Sequence, residues 1–197
     1  MIKCVIFDLG RVVINVNQEL MFGEFSGNSG KPINEIKKIY GNSADRKKFE
    51  RGIITSAEFY NSMKKDMNLK MDFNEFKKAY TGMFSHNRDI EKLISKLKKK
   101  YRLVLLSNTD ELHYNFIKKE FPVLNNFDDY VLSYKVGMRK PNPLIFIEAI
   151  KKSKTMPWNC IYFDDILEFV WMARMMGIKP FQYKYGMDIN KALKKPL

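Results

Sequence analysis

The chain has 197 residues, 45% of them hydrophobic, which suffices to bury one full core with room for a modest second domain. Its two cysteines, Cys4 and Cys160, exclude a disulfide framework and suit a reducing compartment. No apolar run is long enough to span a bilayer, and the N-terminus enters an apolar stretch without a basic leader. These features favour a cytoplasmic globular protein with no membrane partner.

The formal net charge of +13 raises the question of an anionic partner. The lysines occur in short runs such as "KLKKK" and "FIKKEF", at the ends or outer faces of predicted helices, where they are typical of a solvated surface. The sequence shows no zinc-finger or RNA-recognition motif. We therefore expect no nucleic-acid partner, and both a monomer and a homodimer remain open.

Strand-like and helix-like segments alternate along most of the chain. The strand-like runs are "CVIFDLG", "RLVLLSN", "YVLSYKV" and "CIYFDD", and helical patterns such as "DIEKLISKLKKKY" and "NPLIFIEAIKKS" lie between most of them. This alternation predicts an α/β fold with a Rossmann-like parallel sheet flanked by helices. From about residue 15 to 87 helical spacing dominates, so we expect a core of residues 1–14 and 88–197 and an all-helical cap domain of residues 15–87.

Polar residues follow four of the strand-like segments. They are Asp8, Ser107, Lys140 and the pair Asp164 and Asp165. In open parallel sheets ligands bind outside the carboxyl ends of the strands. Each residue alone has an ordinary structural explanation, such as a helix cap or a solvated loop lysine. Their joint occurrence at successive strand ends favours a functional site.

These segments resemble the four motifs of the haloacid dehalogenase superfamily, in order and over nearly the whole chain. The matching stretches are "VIFDLGRVV", "LLSN", "GMRKP" and "YFDDILE". Within the superfamily the sequence is similar to the small helical-cap branch of bacterial sugar-phosphate phosphatases of the glucose-1-phosphate type. The resemblance implies a hydrolase of phosphoric monoesters whose helical cap closes over the strand ends and selects the substrate.

The resemblance assigns Asp8 as the nucleophile of an Mg²⁺-dependent phosphatase. A carboxylate can attack phosphorus and form an aspartyl-phosphate, which divides hydrolysis into two easier displacements. Asp164 and Asp165 provide the oxygen ligands that Mg²⁺ prefers. The resemblance adds Asp8 and the backbone carbonyl of Gly10 to the predicted metal ligands.

Positive and polar groups are expected around the phosphate of a small phosphorylated substrate. An anionic nucleophile approaching an anionic phosphoryl group needs fixed positive charge, which Lys140 can supply. Ser107 and Asn108, at the start of the following helix, can cradle phosphate oxygens. Arg11 can bind a phosphate or substrate oxygen at the mouth of the cleft, although an exposed arginine without such a role is an equal alternative.

Gly10 departs from the family pattern. The family's phosphatases carry there a second aspartate, which protonates the leaving oxygen and later activates water. General acid–base catalysis contributes roughly 10²–10⁴-fold, so we expect a working but slow phosphatase. A non-catalytic protein that binds a phosphorylated metabolite or a partner is the first alternative. A metal-independent dehalogenase is the second, but the pair Asp164 and Asp165 argues against it because two carboxylates suit a cation.

Three further expectations concern individual residues. His86 is a candidate replacement base, and Arg51 and Phe22 are candidate specificity residues of the cap. Cys4 and Cys160 each lie four residues before a strand-end aspartate, so adjacent parallel strands would place the two thiols side by side, buried and reduced.

Overall fold

A computed structural model describes residues 1–194 of the chain; residues 195–197, at the end of the predicted core, lie outside the described residues. The strands are β1 (Cys4–Phe7), β2 (Ile14–Val16), β3 (Phe84–His86), β4 (Arg102–Ser107), β5 (Asp129–Leu132), β6 (Cys160–Asp164) and β7 (Lys179–Gln182). Five of them form the main parallel sheet in the order β5-β4-β1-β6-β7, and β2 and β3 form a separate antiparallel ribbon.

The central strands are buried on both faces, as the strand-like apolar runs predicted. Alternate residues of β1, β4 and β6 enter two hydrophobic cores, with Val5 and Phe7 on one face of the sheet and Ile6 on the other. The predicted pairing of the cysteines is confirmed, since Cys4 lies opposite Cys160 in register and both are free and buried. A hydrogen bond with Cys160, together with burial, raises the pKa of the Cys4 thiol well above its usual range.

Helices cover the sheet and fill the segment between β2 and β3. Several of the helices begin with a side-chain cap, including capping boxes that start at Thr55 and at Asp72. The helices are α1 (Gln18–Ser29), α2 (Ile33–Asn42), α3 (Ala44–Phe49), α4 (Ser56–Met67), α5 (Phe73–Thr81), α6 (Arg88–Leu97), α7 (Glu111–Glu120), α8 (Ser133–Val136), α9 (Pro143–Ser153), α10 (Leu167–Met175) and α11 (Ile189–Lys194).

Helices α1 to α5 form the cap and have a hydrophobic core of their own. Stacked and edge-on rings of Phe25, Phe59, Phe76 and Tyr80 occupy its centre. The ribbon of β2 and β3 joins this cap to the sheet and was not anticipated in an all-helical insertion. Its strands have three residues each, which is too short for an alternating pattern to be recognised in sequence. The exact domain boundaries stay a prediction.

Three consecutive cap residues contact the core segment that precedes Lys140. Glu50 pairs with Arg139, and Arg51 donates from Nε to the carbonyl of Gly137 at 3.1 Å. Gly52 has φ +67°, and a Cβ at this position would lie 2.1 Å from the carbonyl oxygen of Tyr134. Only glycine permits this approach of the two backbones.

The topology places a crevice beside β1. From β1 the chain builds β4 and β5 on one side of the sheet and then crosses to β6 and β7 on the other. Such a reversal of strand order opens a crevice at the carboxyl ends of the strands, where ligands bind in α/β proteins. None of the helices described within residues 1–194 is both long and apolar enough to cross a membrane.

Candidate active site

A cleft of about 270 Å³ lies at the carboxyl ends of the strands, between the sheet and the cap. The predicted catalytic, phosphate-binding and metal-binding residues line this cleft, with the exception of the fully buried Asp164. The core side contributes Asp8, Gly10, Arg11, Ser107, Asn108, Lys140 and Asp165, and the cap side contributes Gln18, Tyr40, Arg46 and Glu50.

Lys140 lies at the centre of the site and is only 3% exposed. Its Nζ donates to Asp8 Oδ1 at 2.6 Å and to Asp164 Oδ2 at 2.7 Å. It also reaches the carbonyl of Leu106 at 3.2 Å and the hydroxyl of Tyr162 at 3.1 Å. Burial alone would lower the pKa of Lys140, but the two carboxylates outweigh this and raise it. The lysine is therefore a fixed and buried positive charge.

Asp8, Asp164 and Asp165 bring three carboxylates together. One oxygen of each lies within 4.8 Å of the others, which fits a single hard cation that takes oxygen ligands. Asp164 accepts from the Tyr162 hydroxyl and from the amide of Ile166 at 2.8 Å, so its orientation is fixed. Burial raises the pKa of Asp8 to about 7, against the lowering effect of Lys140. Burial and the neighbouring Asp164 raise the pKa of Asp165. Such crowded carboxylates favour binding of a cation.

The segment after β4 holds the lysine loop in place. Asn108 accepts from the Lys140 amide at 2.7 Å and donates to the Lys140 carbonyl at 3.0 Å. The Thr109 amide donates to the Ser133 hydroxyl at 2.9 Å, and that hydroxyl donates back to the Thr109 carbonyl. Asn108, proposed from sequence as a phosphate contact, is thus also a support for Lys140. Ser107 is buried at the base of the same cleft.

Gly10 and Arg11 form the turn after Asp8. A Cβ built on Gly10 would lie 3.3 Å from Val16 Cγ2, so the ribbon fills the space beside this position. Arg11 has φ 60°, is exposed, and lies 3.7 Å from Asp165 and 3.3 Å from the side-chain oxygen of Gln18. The guanidinium therefore stands at the mouth of the cleft, next to the carboxylates.

The cap side of the cleft contains charged residues that the sequence analysis missed. Arg46 donates to Glu50 at 2.7 Å, and Arg139 reaches the other oxygen of Glu50 at 2.5 Å. The Arg46 guanidinium lies 5.0 Å from the ring centre of Tyr40. Two signals were available in the sequence: the Arg–Glu spacing of four on a helix, and the position of Arg139 directly before Lys140.

A buried polar network adjoins the same cleft. Tyr80 donates to Asp110 at 2.8 Å, and His113 Nδ1 lies 2.8 Å from the same carboxylate oxygen. The other ring nitrogen, Nε2, lies 3.2 Å from the Tyr80 carbonyl. His113 lines the cleft, but both of its ring nitrogens are engaged. It therefore does not offer a free acid or base to a substrate.

Three residues considered from sequence lie outside the set that lines the cleft. Arg51 contacts the Gly137 carbonyl, and Phe22 packs edge-on against Tyr40 in the cap core, so the expectation that they lie near the substrate is wrong. His86 lies 2.5 Å from Glu91 and packs on Phe121, away from the cleft. The sequence did not show which cap side chains point inward.

The fold and the site together define a class of protein: a capped α/β hydrolase with carboxylates and a lysine at the ends of its parallel strands. The family profile of the haloacid dehalogenase-like hydrolases matches residues 2–177. The chain belongs to this family.

Relatives extend the likeness over the full length. A D-ribitol-5-phosphate phosphatase from Bacteroides thetaiotaomicron is 27% identical over 201 residues, covering 98% of this chain and 97% of the relative. A crystal structure of a haloacid dehalogenase family enzyme from the same organism has a TM-score of 0.89 at 28% identity, covering 98% of this chain and 99% of that one. An alanine-substituted variant of that enzyme, in complex with magnesium and inorganic phosphate, has a TM-score of 0.86 at 26% identity, covering 99% of this chain and 100% of the other.

Proposed function

We propose that the protein is an Mg²⁺-dependent phosphatase of a small phosphorylated metabolite, with sugar or polyol phosphates as the substrate class. The contact that carries the proposal is the Lys140 ammonium, 2.6 Å from Asp8 and 2.7 Å from Asp164. A lysine between two carboxylates, beside a third, is an arrangement that offsets charge during phosphoryl transfer. The phosphatase activity of the relative from Bacteroides thetaiotaomicron supports the substrate class.

In this proposal Asp8 is the nucleophile. Its carboxylate attacks phosphorus, the leaving oxygen departs with its electron pair, and water then hydrolyses the aspartyl-phosphate. Lys140 holds the attacking carboxylate in place and offsets its charge. Ser107, Asn108 and Arg11 contact the phosphoryl oxygens from the floor and the mouth of the cleft.

Asp8, Asp164, Asp165 and the carbonyl of Gly10 would hold Mg²⁺. The three carboxylates lie close enough together to share one ion, and the magnesium complex of the related structure supports this choice of metal. When bound, Mg²⁺ neutralises phosphoryl charge as a Lewis acid.

Gly10 makes the proposed enzyme slow on substrates with poor leaving groups. Its position carries no acid, and His113, which lines the same cleft, is engaged at both ring nitrogens. The leaving oxygen must then take its proton from water, which the site does not hold in a fixed orientation, and this lowers the turnover rate. We also infer a cytoplasmic location, which suits the buried free thiols of Cys4 and Cys160, and a small-molecule partner in preference to nucleic acid.

The first test is phosphate release from p-nitrophenyl phosphate with and without Mg²⁺. This leaving group hardly needs an acid, so the wild-type protein should turn over despite Gly10. Asp8→Asn should abolish the Mg²⁺-dependent rate, and Asp66→Asn, which removes an exposed carboxylate from the cap, should leave it unchanged. Mg²⁺ binding without turnover would favour the alternative of a phosphometabolite-binding protein. Unchanged release by Asp8→Asn would show that the nucleophile is wrong.

A further inference from the structure

We propose that Arg46, Glu50 and Arg139 bind the part of the substrate remote from the phosphate and select a hydroxylated carbon chain. The inference rests on the proposed phosphatase function, and it assigns the specificity of the same cleft to three named side chains. These three residues are called the distal cluster below.

The distal cluster lies in the wall of the cleft that contains Asp8 and Lys140. Arg46 belongs to α3 of the cap and Glu50 follows that helix, whereas Arg139 belongs to the core and directly precedes Lys140. All three line the cleft, so a molecule with its phosphate at Asp8 extends towards them. The cluster is thus assembled from both domains.

Glu50 is 8% exposed and lies between two guanidinium groups. Its oxygens are 2.7 Å from an Arg46 nitrogen and 2.5 Å from Arg139 Nε. The two guanidiniums orient the carboxylate without using all of its acceptor sites, because a carboxylate offers about four lone-pair positions. The pairing fixes the geometry of the cluster before a substrate arrives, which reduces the entropy cost of binding.

The distal cluster has donors left over as well. Arg46 Nε, Arg139 Nε and Glu50 Oε2 are buried and have no hydrogen-bond partner among the described residues, so the close approach of Arg139 to Glu50 is an ion pair without hydrogen-bond geometry. A guanidinium carries five N–H donors, and the contacts with Glu50 use only part of them. Charged donors therefore lie beside a charged acceptor in a partly desolvated wall.

A hydroxyl group matches this mixture because it donates and accepts at once. An alkyl chain would leave the charged groups of the distal cluster without partners, which is costly in a desolvated site. A second phosphate or carboxylate on the substrate would meet the negative charge of Glu50. A chain with hydroxyls on successive carbons satisfies both the guanidiniums and the carboxylate.

The test compares two phosphates of equal chain length, D-ribitol 5-phosphate and n-pentyl phosphate, with p-nitrophenyl phosphate as the reference for chemistry. We expect the wild-type enzyme to prefer ribitol 5-phosphate in kcat/KM. Glu50→Gln should lower kcat/KM for ribitol 5-phosphate by about 10- to 100-fold, as for lost hydrogen bonds to a charged group. The values for n-pentyl phosphate and p-nitrophenyl phosphate should change by less than about 3-fold.

Arg46→Lys is the second variant, because it keeps the positive charge beside Glu50 but removes the Nε donor. It tests the same cluster independently if Glu50→Gln fails to fold. Arg88→Lys is the matched control, because the Arg88 side chain is 70% exposed and lies outside the cleft. Equal losses on all three substrates, or none in either variant, would overturn the inference while the phosphatase function stands. Absence of any Mg²⁺-dependent release by the wild-type protein would instead overturn the proposed function, and the inference with it.

Discussion

Replacing Gly10 by aspartate should make the proposed phosphatase faster on substrates with poor leaving groups. The backbone at Gly10 is not left-handed, so an L residue is sterically compatible with it. The new Cβ would lie 3.3 Å from Val16 Cγ2, which is slightly closer than ordinary van der Waals contact. Val16 is half-buried in a three-residue strand and can move by the few tenths of an ångström required. We expect a cost on the order of 1 kcal/mol in unfolding free energy.

The gain follows from the acid that the aspartate would supply. General acid–base catalysis contributes roughly 10²–10⁴-fold, and it matters most when the leaving oxygen is strongly basic. The assay measures kcat with Mg²⁺ for n-pentyl phosphate and p-nitrophenyl phosphate in the wild type, Gly10→Asp and Gly10→Asn. Asparagine has the shape of aspartate but cannot transfer the proton. We expect Gly10→Asp to exceed Gly10→Asn by about 100-fold or more on the alkyl phosphate.

Equal rates for the two variants would refute the reasoning, because the gain would then come from shape or from metal binding. The same gain on both substrates would refute it too, since an acid should favour the poor leaving group. The double variant Gly10→Asp with Val16→Ala relieves the contact with the ribbon. If only the double variant is active, the space beside Gly10 is more rigid than the short strand suggests.

Three further predictions concern the buried network and the carboxylates. Tyr80→Phe should lower the unfolding free energy by about 1–3 kcal/mol in chemical denaturation, because it leaves the buried Asp110 without a 2.8 Å donor. Burial would raise the pKa of Asp110, but His113 and the hydrogen bonds from His113 and Tyr80 hold it below its usual value. The ionised Asp110 therefore stabilises the fold above its unfolded-state pKa, and this stabilisation is lost as pH falls through the folded-state pKa. Asp110→Asn should weaken the dependence of the unfolding free energy on pH in the acid range, and an unchanged dependence would contradict this. Mg²⁺ at about 100 times its Kd should raise the unfolding free energy by about 2.7 kcal/mol. At the same Mg²⁺ concentration, Asp165→Asn should show a smaller increase in Tm than the wild type, and an equal increase would show that Asp165 is not a ligand.

The sheet and the strand ends could be predicted from sequence because each rests on a local pattern. A buried strand such as Cys4–Phe7 is apolar throughout, and the aspartate that follows it interrupts the pattern at a defined place. The pairing of Cys4 with Cys160 was predictable by the same logic, since parallel strands that end at one site have a common register. The family resemblance relates these strand-end residues to known motifs, but each strand and its polar end can be recognised without it.

The cap side of the cleft was not predictable because side-chain direction in a small helical domain depends on packing between helices. Phe22 and Arg51 appeared suitable by type, yet Phe22 packs into the cap core and Arg51 faces the Gly137 carbonyl. Arg46 and Glu50 have the spacing of an ordinary surface ion pair, which is usually of little consequence. The role proposed for them depends on Arg139, which lies beside Glu50 in space but 89 residues further along the sequence.

The contact of residues 50–52 with the core bears on how this cap could be exchanged for another. Gly52 lies against the Tyr134 carbonyl, and Glu50 pairs with Arg139, one residue before the lysine of the site. The cap therefore meets the core through contacts that depend on particular residues of both domains. A chimera that carries a foreign cap would need its own counterpart of Gly52, because a side chain at that position would collide with the Tyr134 carbonyl and hold the two domains apart.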